Sequence, residues 1–149
     1  VFAIEVFDQD MQGEPGSDRR ILEVLGRFKV RFVSKDTNAN TITHYVDSTL
    51  KHVKRVVRAL KDEFPNAEIS TRKVAIVSAI GSDIKVSGIL ARSVKALADE
   101  DISVLALHQC MRQVDIQFVV DEDAYEKTIV ALHGALIEPH NHEYAIVAA

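Results

Sequence analysis

The stretch Pro15-Gly-Ser-Asp-Arg-Arg-Ile-Leu-Glu-Val-Leu25 has a counterpart 72 residues further on, Ser87-Gly-Ile-Leu-Ala-Arg-Ser-Val-Lys-Ala-Leu97. In both, a glycine precedes apolar residues at helical spacing, so each reads as a loop that opens an amphipathic helix. Those residues are Ile21, Leu22, Leu25 and Phe28 in the first copy. In the second, Leu90, Val94 and Leu97 are expected to point inward. The same register sets Ala3-Ile4 against Ala75-Ile76, Ala59-Leu60 against Ala131-Leu132, and Phe64 against Leu136. A shift of two residues improves the third strands, where Ile42, Val46 and Asp47 then face Ile116, Val120 and Asp121.

Outward from these anchors the elements follow in order. Residues 1–7 alternate in polarity, as a half-buried strand does. A helix from Asp18 is followed by strands over 30–34 and 42–46, with the polar residues 35–41 between them as a turn. Leu50, Val53, Val56, Val57, Leu60 and Phe64 mark a long helix stopped by Pro65, and a short strand covers 67–71. The second copy predicts a strand over 74–80, a loop over 81–87 and a helix over 89–100. Strands over 102–107 and 114–120, a helix over 124–136 and a last strand over 144–147 complete it. The fold class is α+β: two ferredoxin-like βαββαβ units, each a four-stranded antiparallel sheet with two helices on one face. A unit of this size buries only about 60% of the surface its unfolded chain exposes, so pairing of copies and of chains is expected.

Composition narrows the function. The 149 residues are 47% hydrophobic and 27% charged, which fits a globular domain and excludes a disordered or collagenous chain. One cysteine, Cys110, closes no internal disulfide and offers no zinc cluster. Eighteen basic against twenty-two acidic residues leave a net charge of −4, which argues against a nucleic-acid partner. No apolar stretch approaches the ~20 residues that span a bilayer, so no membrane partner is expected and the expected location is the cytoplasm. The chain starts at Val1 without an initiator methionine, as a piece of a longer protein would.

No catalytic constellation stands out. A phosphate-binding P-loop is absent, and Gly13-Glu14-Pro15-Gly16 lacks the lysine such a loop needs. Acylphosphatases share the element order, but here the first turn carries Asp8, Asp10 and Glu14, which repel an anion. The RNA-recognition module needs aromatics within a basic–glycine–aromatic motif, which Tyr45 and Phe118 lack. Of the six histidines, His133, His140 and His142 could hold a metal. A solvated loop before the last strand, its turn set by Pro139, is the preferred reading of the last two, and no metal site is expected. Cys110 has no activating partner in the sequence and reads as a packed or semi-exposed thiol. Glu122 and Asp123 suit a helix N-terminus, and Asp62-Glu63 reads as solvated charge.

The loops 8–17 and 81–87 remain. Each ends at a helix N-terminus, where unpaired N–H groups favour a carboxylate. Gly13, Gly16 and Gly88 let a backbone come close to a ligand, and Glu14, Asp18 and Asp83 could take an ammonium. Together these are the requirements of a free amino acid. A plain turn and N-cap made by Pro15, Gly16 and Ser17 is the alternative.

Two such units resemble a tandem pair of ACT domains. Val74-Ala-Ile-Val-Ser-Ala-Ile-Gly81, Ser87-Gly-Ile-Leu-Ala-Arg92, Ala96-Leu-Ala98 and Ile102-Ser-Val104 resemble the carboxy-terminal regulatory region of aspartate kinase (aspartokinase). Ile4-Glu-Val-Phe-Asp-Gln-Asp-Met11, Thr37-Asn-Ala-Asn40 and Gln109-Cys-Met-Arg-Gln-Val114 resemble the branch associated with ectoine biosynthesis. The resemblance implies an ACT domain over 1–72 and a second over 73–142, with a strand over 143–149 able to complete the first. It implies an amino-terminal amino-acid-kinase domain that holds ATP and magnesium, phosphorylates L-aspartate, and is missing here. This chain would then bind no cofactor and have no kinase activity alone. The resemblance also implies a homodimer through the ACT domains and an effector such as lysine, threonine or methionine. Its effector loop would be Met11, Gly13, Glu14, Pro15, Gly16, Ser17 and Asp18, with Thr37 and Asn38 beside it and Ser103 and Val104 as the opposite wall. Many inhibited members carry an acidic residue at Gly13, glutamine at Thr37 and asparagine at Ser103. Each lost hydrogen bond removes about 0.5–3 kcal/mol, so a dimerisation scaffold without a ligand is the second reading.

Overall fold

Strand β1 (Phe2–Phe7) buries Ile4 and Val6 and exposes Glu5 between them, the period of a strand covered on one face. The structure is a computed structural model and describes residues 1–13, 15–81, 87–112 and 114–138. The chain divides into two compact units, Val1–Lys73 and Val74–Ala149.

Unit 1 is βαββαβ. After β1 come a 3-10 turn over Gln9–Gly13, α1 (Ser17–Arg27), β2 (Phe32–Thr37), β3 (Thr41–Val46) and α2 (Leu50–Glu63). Residues 68–73 of β4 (Glu68–Ile80) close it. The strands lie in the order β2-β3-β1-β4 and are antiparallel throughout, with Ile4 opposite His44 on one side and Thr71 on the other. Ile4, Val6, Ile42 and Val46 form the sheet's part of the core, and Ile21, Val24 and Leu25 of α1 with Val53, Val56 and Leu60 of α2 form the helical part. Thr49 caps α2 by accepting the His52 N–H at 3.3 Å, and Pro65 follows its last turn. Arg20 clasps the two helices: its guanidinium donates to Glu63 Oε1 at 2.9 Å and the Glu63 carbonyl at 2.6 Å, and lies 4.3 Å from the Phe64 ring centre. Glu63 is thus an ion-pair partner and not merely solvated charge.

Unit 2 repeats the plan over its described residues. Residues 74–80 of β4 pair with β6 (Asp115–Asp121), which pairs with β5 (Ala106–His108). Helices α3 (Ile89–Asp99) and α4 (Tyr125–Leu136) pack with Phe118, Ile116 and Val120 through Leu97 and Leu132. Residues 122–124 form a 3-10 turn ahead of α4, where Glu122 and Asp123 suit the helix dipole.

The repeat is written in torsions as well as in sequence. Gly16 and Gly88, the N-caps of α1 and α3, have φ of 101° and 89°. Past the other ends of these helices, Lys29 and Asp101 both have φ of 54°. The Val30 and Ile102 N–H groups reach back to the Leu25 and Leu97 carbonyls, both at 2.9 Å. The two-residue shift of the third strands also fits, because β3 and β6 share one sequence of burial from Thr41 and Asp115 onward.

Four expectations need correction. The strand expected over 30–34 is β2, Phe32–Thr37, and the turn shrinks to 38–40, because Lys35, Asp36 and Thr37 pair with His44, Thr43 and Ile42 on the ladder. The strand expected over 102–107 is only β5, Ala106–His108, since the Ile102 N–H is used by the end of α3. The separate strands expected over 67–71 and 74–80 are one strand, β4. Leu22, Leu90 and Val94 are 37–40% exposed, and Val24 and Ser93 take the inward positions instead. Ser93 is accommodated because its Oγ donates to the Ile89 carbonyl at 2.8 Å. The last strand, expected over 144–147, and most of the loop 81–87 lie outside the described residues.

Candidate functional site

A glycine opens the first turn of α1. Gly16 is the N-cap, adopts a left-handed conformation and makes no side-chain cap bond, and the first intrahelical bond runs from the Arg20 N–H to the Gly16 carbonyl at 3.1 Å. An added Cβ at Gly16 would meet nothing within 4 Å, so the torsion and not the space requires glycine. Gly16→Ala is therefore expected to cost about 1–2 kcal/mol, whereas Gly26→Ala, inside α1 and equally open, gains about 0.4–1 kcal/mol. Urea denaturation followed by circular dichroism reads both, and equal effects of the two would refute the assignment.

The structure places the sequence-predicted residues as follows. Met11, in the 3-10 turn, is 9% exposed and belongs to the core of unit 1, so its side chain anchors the loop from below. Gly13 ends that turn, and Glu14 lies outside the described residues. Pro15 and Gly16 are exposed, and Ser17 is the buried first residue of α1, one place beyond the N-cap expected for it. Thr37 ends β2 in an exposed position. Asn38 builds the hairpin turn, its Oδ1 accepting the Asn40 and Thr41 N–H groups at 3.2 and 2.9 Å. The Asp8 N–H donates to the Asn40 carbonyl at 2.9 Å, so the loop after β1 and the β2–β3 hairpin share one end of the sheet. Ser103 and Val104 belong to unit 2, in the link between α3 and β5; Ser103 is exposed and Val104 packs on the core of that unit.

Asp18 is not a free carboxylate waiting for an ammonium. Its Oδ2 accepts Lys35 Nζ at 2.7 Å, and its Oδ1 faces His44 Nε2 at 3.9 Å. His44 is 1% exposed, lies edge-on to Phe32 with ring centres 5.1 Å apart, and has no hydrogen-bond partner among the described residues for either nitrogen. Asp18 Oδ1 is likewise unpartnered. Burial pushes the imidazole down to about 4; Asp18 opposes this and Lys35 adds to it. On the other face of the sheet, burial first and the 2.7 Å bond to Asp36 second push the Tyr45 phenol above its ordinary range. The sequence reading missed His44 and Lys35. Their signal is the alternation Ile42, His44, Val46, which sets the histidine on the inward face of β3.

The remaining candidates carry less. Among the described residues no cluster of three metal-ligating side chains occurs; His133 meets Glu138 at 3.2 Å, and His140 and His142 lie outside them. Cys110 is half-buried and its thiol lies 3.7 Å from Asp115 Oδ1. No helix among the described residues is long and apolar enough to cross a membrane.

Comparison with known proteins agrees with this fold. The ACT domain family matches residues 66–134. The aspartate kinase Ask_Ect of Stutzerimonas stutzeri (strain A1501) is 51% identical over 149 residues, all of this chain and 31% of that protein. The chain thus spans about a third of the length of that curated relative. Among solved structures, the aspartate kinase of Clostridium acetobutylicum, described as an allosteric enzyme, superposes with a TM-score of 0.82 at 18% identity, over 90% of this chain and 32% of that one. The regulatory subunit of aspartate kinase from Thermus flavus superposes with a TM-score of 0.77 at 15% identity, over 90% of this chain and 91% of that one. These two establish the fold, and the identity to Ask_Ect extends the likeness to the sequence of the whole chain. Over its whole length the chain is thus similar to part of an aspartate kinase, and it carries the fold of the ACT-domain regulatory parts of such enzymes.

Proposed function

We propose that this chain senses an amino acid and passes the signal to the kinase domain of an aspartate kinase. In the whole protein that domain would hold ATP and magnesium and phosphorylate L-aspartate in the cytoplasm, while this region takes neither. The observation that carries the reading is the first turn of α1 behind a left-handed Gly16, an N-cap residue with no side chain of its own. Its N–H groups and dipole favour a carboxylate, with Pro15 and Gly16 exposed beside it. Thr37 and Asn38, at the same end of the unit 1 sheet, would add their polar groups to the site. An effector that favours one arrangement of a dimer by 1–3 kcal/mol would change affinity about 5- to 150-fold.

Calorimetric titration of the chain with lysine, threonine and methionine is the test. One of them should give saturable heat and raise the melting temperature, since about 2.7 kcal/mol of stabilisation accompanies ligand at a hundred times its dissociation constant. No heat and no thermal shift with any of the three at millimolar concentration would sink the reading. A dimerisation scaffold is then the second reading, favoured by edge strand β2. Phe32 and Val33 are 43% and 57% exposed there and, with Val30, Arg31 and Asp47, line an open groove. Sedimentation equilibrium of the chain against Val33→Lys would read it.

A further inference from the structure

The polar trio of unit 1 has an apolar counterpart in unit 2, position for position. Asp18 is the second residue of α1 and Leu90 the second of α3, each two places past a glycine of positive φ. Lys35 lies opposite His44 across the β2–β3 ladder, and Leu107 lies opposite Phe118 across the β5–β6 ladder. His44 and Phe118 hold the same place in strands with the same burial sequence, at 1% and 0% exposure. The fold therefore accepts two leucines and a phenylalanine at these positions, and packing supplies no reason for an imidazole. In unit 1 the imidazole stands against the tide: a buried ring whose two nitrogens, and the carboxylate oxygen beside it, have no hydrogen-bond partner among the described residues is unfavourable.

We infer that Asp18, Lys35 and His44 form a proton-driven switch beneath the first turn of α1, in which protonated His44 takes Asp18 from Lys35. With the ring neutral, Asp18 Oδ2 holds Lys35 at 2.7 Å while Oδ1 stands 3.9 Å from Nε2, outside hydrogen-bond range. One proton taken from solvent makes both ring nitrogens donors. An imidazolium in the core is tolerable only against a carboxylate, and Asp18 is the one facing it; a closure of roughly 1 Å makes a charge-assisted bond. Lys35, its side chain 29% exposed, then turns to water. The charges acting on the ring are those of Asp18 from α1 and Lys35 from β2; β1 presents Ile4, and β2 also presents the Phe32 ring. Because Asp18 sits in the helix's first turn, the exchange shifts the exit of the loop after β1.

The sign follows from where the proton binds first. The unfolded chain takes it at the ordinary histidine value of about 6.5, the folded chain only near 4. The stability that the neutral ring permits is full above pH 6.5 and is lost as the pH falls toward 4. The ligand here is the proton, so the inference stands or falls apart from the effector reading.

The test is a pH series from 7 to 4 on the 149-residue chain and on His44→Phe, which installs the residue that unit 2 carries. The wild-type unfolding constant, from urea titrations, should rise roughly 100-fold more than that of His44→Phe over this range. In nitrogen–proton spectra, the amides of Asp18 and Lys35 should move with the midpoint of the His44 ring while those of Leu90 and Leu107 stay. Lys35→Met should raise that midpoint and Asp18→Asn lower it, and these readings decide the matter should His44→Phe not fold. Three results overturn the switch: equal pH dependence of wild type and His44→Phe, a ring that titrates only as the whole chain unfolds, or a midpoint indifferent to both Asp18 and Lys35.

Discussion

Phe118→Ala is expected to lower stability by about 3–5 kcal/mol, a large share of the 5–15 kcal/mol that typically holds a domain together. Phe118 is fully buried in β6, with Val77 opposite on one side and Leu107 on the other. Its ring fills the space under α3 and α4, beside Leu97, Ile116 and Leu132. Truncation removes the transfer energy of the ring and leaves a cavity that β6, held by ladders on both sides, is poorly able to close. The chain has no tryptophan, so circular dichroism in urea is the natural measurement. Val130→Ala, at a position 72% exposed on α4, should stay within about 0.5 kcal/mol. A loss below about 1 kcal/mol for Phe118→Ala would mean that the centre of unit 2 lies elsewhere.

Leu60→Ala should cost about 2–5 kcal/mol in unit 1, and Leu50→Ala on the same helix almost nothing. Sequence periodicity places both leucines on the apolar stripe of α2, yet Leu60 is fully buried and Leu50 is 52% exposed. Leu60 also stands one turn before the clasp, since its carbonyl accepts the Phe64 N–H at 2.8 Å. A void beneath that turn loosens the seat of Phe64 and of the Arg20–Glu63 pair together. Thermal melting should separate the variants, because about 1 kcal/mol moves the midpoint of a small domain by roughly 4–8 °C. Similar melting points for the two would refute the packing.

The glycine-led helices and the third strands were legible because their signals are local. A glycine at positive φ and a strict inward alternation each declare themselves within a few residues. Lys35, Asp36 and Thr37 misled because three polar residues in a row look like a turn. On an edge strand, however, such residues satisfy themselves sideways, here with Asp18 and Tyr45. Ile102 and Val104 misled in the opposite sense: both are at least half-buried and alternate, but the Ile102 N–H closes a helix end and joins no ladder. Of the candidate site, the loop glycines and Asp18 stand out in the sequence, but what Asp18 touches does not. That contact joins residues far apart in the chain, and no periodicity encodes it.

The matched torsions at Gly16 and Gly88, and at Lys29 and Asp101, make the two units interchangeable as templates. Where backbones agree at their most demanding angles, a side-chain set proven in one is already shaped for the other. Leucine, leucine and phenylalanine can therefore be grafted as a cassette onto positions 18, 35 and 44, with the protein supplying its own blueprint. Read in the other direction, one copy of a doubled fold is free to hold a plain core while its twin is spent on chemistry.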